Sequence, residues 1–223
     1  MLKRFLKLII GIGLLPVCFS ASKAFYQLLK SVGTVEQTML YFVGGIGIYV
    51  LLFFSGLKLN FLYVLGHEST HAVLALLCGG KIKGFKVSAQ GGSVGTTKNN
   101  VLISLGPYFF PVYTALLIAG FFGAAIFYPN INNYPQILIL LIGWSIAFHF
   151  LMTIHSLKVE QPDLKENGYV FSLTLIYLIN LSIIALLLGG LFKQIDILRF
   201  FAQTGMDTKS TIIFLWEKVQ SFK

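Results

Sequence analysis

The chain predicts an all-α multi-pass membrane protein of five or six transmembrane helices with a short β-hairpin-like insertion, and three observations carry this. First, 56% of its 223 residues are hydrophobic and 11% are charged, where an average soluble domain carries about 25% charged residues. Second, uncharged runs recur along the chain at lengths suited to the ~20 residues a helix needs to cross the hydrocarbon core. Third, the net charge of +9, from 17 basic and 8 acidic residues, resides largely in the connections between those runs. Lysines so placed act as topology signals and as contacts for anionic lipid headgroups. That reading makes the lipid bilayer the partner and excludes nucleic acid.

Taken in order, residues 8–22 are uncharged but short, follow Lys3, Arg4 and Lys7, and contain Pro16. They read as a short first span or as the apolar region of an uncleaved signal-like segment. Residues 37–57 are uncharged and long enough to span, and residues 59–80 read as the next span. Residues 99–157 contain no Asp, Glu, Lys or Arg, a run too long for one helix. Two prolines around polar residues, Tyr128 to Pro135, divide it by a turn. Residues 167–192 form the last span. In the tail, Asp207 is a candidate cap for an interfacial helix through Phe222, with Ile212, Ile213, Trp216 and Val219 sharing one side. The expected organisation is an N-terminal segment 1–36, a membrane core 37–193 and an amphipathic tail 194–223. Cys18 and Cys78 both lie in apolar segments and read as small buried hydrophobes.

The connection 80–98 has a different character. Phe85-Lys86-Val87-Ser88-Ala89 alternates roughly with period two, Gln90-Gly91-Gly92-Ser93 supplies turn chemistry, and Ser93–Thr97 can return as a second strand. The alternative is a flexible basic loop. A hairpin over 82–97 has an open edge that can hold an extended peptide by strand addition.

Within the segment 59–80 stands Gly66-His67-Glu68-Ser69-Thr70-His71, an HExxH pattern. Ionisable side chains at the bilayer centre cost on the order of 3 kcal/mol on insertion scales, so they usually face a protein interior or a wet cavity and serve a function. Positions i and i+4 project from one helical face about one turn apart. His67 and His71 can therefore bind one zinc ion while Glu68 serves as general base. No Lys or Arg lies between Lys58 and Lys81 to pair with Glu68 locally.

A catalytic zinc takes three protein ligands and keeps a fourth position open. His149 and His155 are six apart and lie on different helical faces, so they do not form a second pair. After them come Glu160, Asp163 and Glu166. Pro162 stops a helix and fixes the backbone before Asp163, which places that carboxylate on a bend between two spans. Asp163 is the expected third ligand, with Glu160 and Glu166 as alternatives.

These residues resemble the site-2 protease family of intramembrane zinc metalloproteases. The likeness rests on Gly66-His67-Glu68-Ser69-Thr70-His71-Ala72, the glycine-rich connection after it, Gly106-Pro107, and an aspartate after proline in a later span; it covers approximately residues 60–170. The chain departs from the family's pattern at Asp163-Leu164, where the family commonly shows Asp-Gly, and at Tyr108-Phe109-Phe110-Pro111, which lacks the family's asparagine. The resemblance implies zinc-dependent hydrolysis of peptide bonds in membrane-embedded protein substrates, in a cell membrane, with Glu68 catalytic and zinc on His67, His71 and Asp163. It also implies that the HExxH helix runs towards the cytosol, placing 81–98 and 158–166 inside and 128–135 outside. The lysines of those connections agree, whereas counting six spans leaves Lys3, Arg4 and Lys7 and the C-terminal tail outside, against the trend. Two other classes share these residues: a metal or proton transporter using His67, Glu68, His71, His149 and His155 as a polar path, and an inactive zinc-binding relative.

Overall fold

The computed structural model describes residues 2–32 and 37–221. They form α1 (Leu2–Gly13), α2 (Leu15–Lys30), α3 (Gln37–Phe54), α4 (Asn60–Leu77), β1 (Ile82–Ser88), β2 (Gly91–Thr96), α5 (Val101–Leu105), α6 (Val112–Phe127), α7 (Pro135–Ser156), α8 (Pro162–Asn167), α9 (Tyr169–Leu191) and α10 (Ile197–Gln220). Single 3-10 turns, Gly106–Tyr108 and Pro129–Asn133, precede α6 and α7. Four helical stretches are long and apolar enough to cross a membrane: Leu2–Lys30, Gln37–Phe54, Pro135–Ser156 and Tyr169–Leu191. A fifth exists if Val101–Tyr108 and Val112–Phe127, bent by 80° at their junction, count as one span. The HExxH helix α4, expected as a span, is not among them, because its apolar residues are diluted by Asn60, His67, Glu68, Ser69, Thr70 and His71.

The contacts divide the chain into two compact units, residues 35–163 and residues 1–34 together with 164–223. In the first, α3 and α7 pack side by side in the same direction. An added methyl at Gly45 would meet the Leu140 carbonyl, and one at Gly143 the Phe42 carbonyl, so only glycine allows the two backbones this close. Small residues at such interfaces are how helices approach in lipid, where apolar burial alone drives little association. Beside them Tyr49 is fully buried, edge-on to Trp144 and Phe148 at 5.3 Å from each. Further along, the Phe53 ring lies 6.0 Å from that of His155. Helix α6 runs against α7, joined in the buried layer by Thr114 and Ser145 at 2.8 Å.

Helix α4 lies across the end of this bundle. Tyr63 on its first turn bonds Ser156, the last residue of α7, at 2.7 Å. Two turns later His71 is still at that end, 3.4 Å from Asp163. The hairpin β1–β2 is antiparallel, with Val87 opposite Gly92, a turn at Ala89–Gln90 and an irregularity at Lys83. It packs on α4, as does the chain that follows. Lys98 reaches the Cys78 carbonyl, Ile103 faces His71 and Tyr108 faces His67, so this stretch runs back along α4 before bending by 80° into α6.

In the second unit α1 and α2 run beside α9. Lys7 bonds Asn167 at 2.6 Å and Ser22 bonds Tyr177 at 2.7 Å. Residues 8–22 thus belong to a helical stretch of 29 residues, interrupted by a turn at Leu14 just ahead of Pro16. The tail helix begins eleven residues before the expected cap: Asp196 accepts from the Arg199 amide at 3.0 Å, while Asp207 lies mid-helix and pairs with Lys23 at 3.3 Å. Phe222, its expected end, lies outside the described residues.

Candidate metal centre

The HExxH spacing puts His67 and His71 on one face of α4, their ring centres 4.9 Å apart. Asp163 enters from the first turn of α8, a short helix that Pro162 opens where the sequence indicated a bend between two spans. Its Oδ2 lies 3.4 Å from Nε2 of His71 and 4.0 Å from Nε2 of His67. One ligand atom from each of the three residues lies within 4.8 Å of the others. Bonds of 2.0–2.2 Å in a tetrahedron separate ligand atoms by about 3.4 Å. His71 and Asp163 already have that spacing, and His67 stands 4.0 Å from Asp163, so the donor set suits a divalent ion. Among the described residues this is the one such group, and His149, His155, Glu160 and Glu166 are not members.

The supports are as specific as the ligands. Nδ1 of His71 donates to the Ile103 carbonyl at 2.7 Å, which fixes the ring and aims Nε2 at Asp163. Tyr108, fully buried, donates its hydroxyl towards Asp163 Oδ2 and Gln161 Oε1, each at 3.2 Å, and sets its ring edge-on to His67 at 5.0 Å. Ser104 reaches the other Asp163 oxygen at 3.5 Å. Burial pushes the Asp163 carboxyl up, but the hydrogen bond and charge of His71, with His67 behind it, outweigh this and hold it below its ordinary range. That keeps it a carboxylate, the form that binds cations.

Glu68 is buried, stands beside the three ligands and is not one of them. The hairpin backbone passes directly over it: a methyl added at Gly92 would come 2.7 Å from Glu68 Cγ and 2.8 Å from Val64 Cγ1. Two cavities meet at His67, Glu68, Gly92 and Gln161. One, of about 460 Å³, continues past His71, β2 and Asp163. The other, of about 330 Å³, continues past Tyr63, His155 and Val159. A third space of about 20 Å³, bordered by His67, Thr70 and His149, is the size of one water.

The sequence analysis named His67, Glu68, His71 and Asp163, and the fold brings all four together. It missed Ile103, Tyr108 and Gln161. Tyr108 directly follows Gly106-Pro107, the one signal that could have singled it out. No family model, curated protein or solved structure matches this chain.

Proposed function

We propose that the protein is a zinc metalloendopeptidase of a cell membrane, acting on membrane-embedded protein substrates in the manner of the site-2 proteases. The observation that carries this reading is a division of labour within one cavity. His67, His71 and Asp163 form a three-donor set, while a fourth ionisable group, Glu68, borders the same space without joining it. Metal storage or transport has no required task for that carboxylate; hydrolysis does.

An ion held by His67, His71 and Asp163 would supply Lewis acidity towards a carbonyl oxygen and would make a water easier to deprotonate. Glu68 takes the proton from the attacking water on its carboxylate and delivers it to the amine that leaves. His71, held by Ile103, and Asp163, held by Tyr108, keep the donor atoms in place. The hairpin gives the substrate a backbone to lie along, with β2 carrying an outer edge next to Glu68.

The experiment is metal analysis of the purified protein and its variants. One zinc per chain is expected, lost in His71→Ala and strongly weakened in Asp163→Asn. Full zinc occupancy in both variants overturns the ligand set.

A further inference from the structure

We infer that the HExxH helix does not cross the membrane, and that the site opens on the lysine-bearing side, where it takes extended polypeptide flanking a substrate's span. The placement stands on the geometry of residues 35–163 alone; only the word substrate rests on the peptidase reading.

The argument is one of direction. Because α3 and α7 run parallel, residues 55–59 and 157–163 emerge at one end of the bundle, and residues 37 and 128–135 lie at the other. Helix α6 runs against α7 and ends at the 128–135 turn, so it leaves the first end and arrives at the second. The chain between Lys58 and Pro111 must therefore begin and finish on the same side. Its contacts say the same: Tyr63 with Ser156 and His71 with Asp163 lie at the end of α7, and the return stretch Val101–Tyr108 is bent 80° from α6.

Charge follows geometry. Lys58, Lys81, Lys83, Lys86, Lys98 and Lys158 all fall on the side where the site lies, and residues 128–135 carry no lysine or arginine. This is the asymmetry of a cytosolic face, and it also suits anionic headgroups.

Shape then selects the substrate. A helix is about 10–12 Å across with its side chains, whereas a strand sits about 4.8 Å from its neighbour. The hairpin backbone over Glu68 leaves no room even for a methyl at Gly92. The two cavities leading to either side of Glu68 mix polar groups, among them Asn60, Gln90, Asn99 and Gln161, with apolar ones such as Val64, Val94 and Met152, a lining suited to an extended chain that carries side chains of both kinds.

Single cysteines test this in sealed vesicles of both orientations, with Cys18 and Cys78 replaced by serine and a membrane-impermeant maleimide as probe. Ser55→Cys and Lys83→Cys are expected to label from the same side and Asn132→Cys from the other. Labelling of Lys83→Cys from the side of Asn132→Cys overturns the inference. A single-span reporter co-reconstituted with the wild-type protein supplies the second readout, its cut site mapped by mass spectrometry. A cut in the polar flank on the Lys83 side supports the inference, and a cut inside the apolar span overturns it. Same-side labelling without any cleavage supports the placement and counts against the peptidase reading instead.

Discussion

Replacing Gly92 by alanine is the smallest change that reaches Glu68 without touching a ligand. The added methyl would stand 2.7 Å from Glu68 Cγ, 2.8 Å from Val64 Cγ1 and 2.8 Å from the Lys86 carbonyl. The last is backbone of the paired strand, so the methyl is wedged between its own sheet and α4. Ordinary contact begins at 3.4 Å, so the hairpin and Glu68 must part by about 0.7 Å. Displacements near 1 Å at a reacting group cost about 10²-fold, and overpacking costs about 1–3 kcal/mol of stability. Cleavage of a membrane-anchored reporter by Gly92→Ala is therefore expected to fall ~10- to 100-fold in kcat/KM, with zinc content unchanged. Gly95→Ala on the same strand is the control, because a methyl there meets nothing closer than 3.6 Å. Unchanged cleavage by Gly92→Ala, or an equal loss in Gly95→Ala, would refute the claim that hairpin and Glu68 are fitted to each other.

Tyr108→Phe keeps the ring against His67 and deletes the hydroxyl that Asp163 and Gln161 share. Zinc affinity, read by competition with a chromogenic chelator, is expected to drop ~10- to 100-fold, the usual cost of losing a group that orients a ligand. Gly143→Ala drives a methyl into the Phe42 carbonyl and separates α3 from α7. It is expected to lower stability in detergent by ~1–3 kcal/mol, seen as a lower thermal midpoint. Asp196→Ala removes the side-chain cap of α10; a loss of about 1 kcal/mol is expected, with zinc binding untouched.

The sequence was most readable where local chemistry acts alone. Alternation around Phe85 and Val87 with Gly91-Gly92 after it marked the hairpin, and the structure has strands 82–88 and 91–96. HExxH spacing placed two imidazoles on one face, and Pro162 placed Asp163 at a bend. What escaped was direction. A hydropathy window measures whether a helix tolerates lipid, not how it is aimed, and α4 is aimed by contacts some 90 residues away at Ser156 and Asp163. Tyr108 escaped because it lies in a 3-10 turn with no periodicity to report. In the tail, Asp207 reads as a cap, yet Thr204, Thr208 and Thr211 bond back to carbonyls four residues earlier within one continuous helix. The true cap, Asp196, sits before an unremarkable Ile-Leu-Arg.

The most direct test of the central claim is zinc content and cleavage measured side by side in the wild type and Glu68→Gln. Glutamine keeps the shape of the side chain, and Glu68 is outside the donor set of His67, His71 and Asp163. The account predicts wild-type zinc in the variant and a fall in reporter cleavage of at least ~10², the scale of general-base removal. Full cleavage by Glu68→Gln, or loss of zinc along with activity, would contradict it.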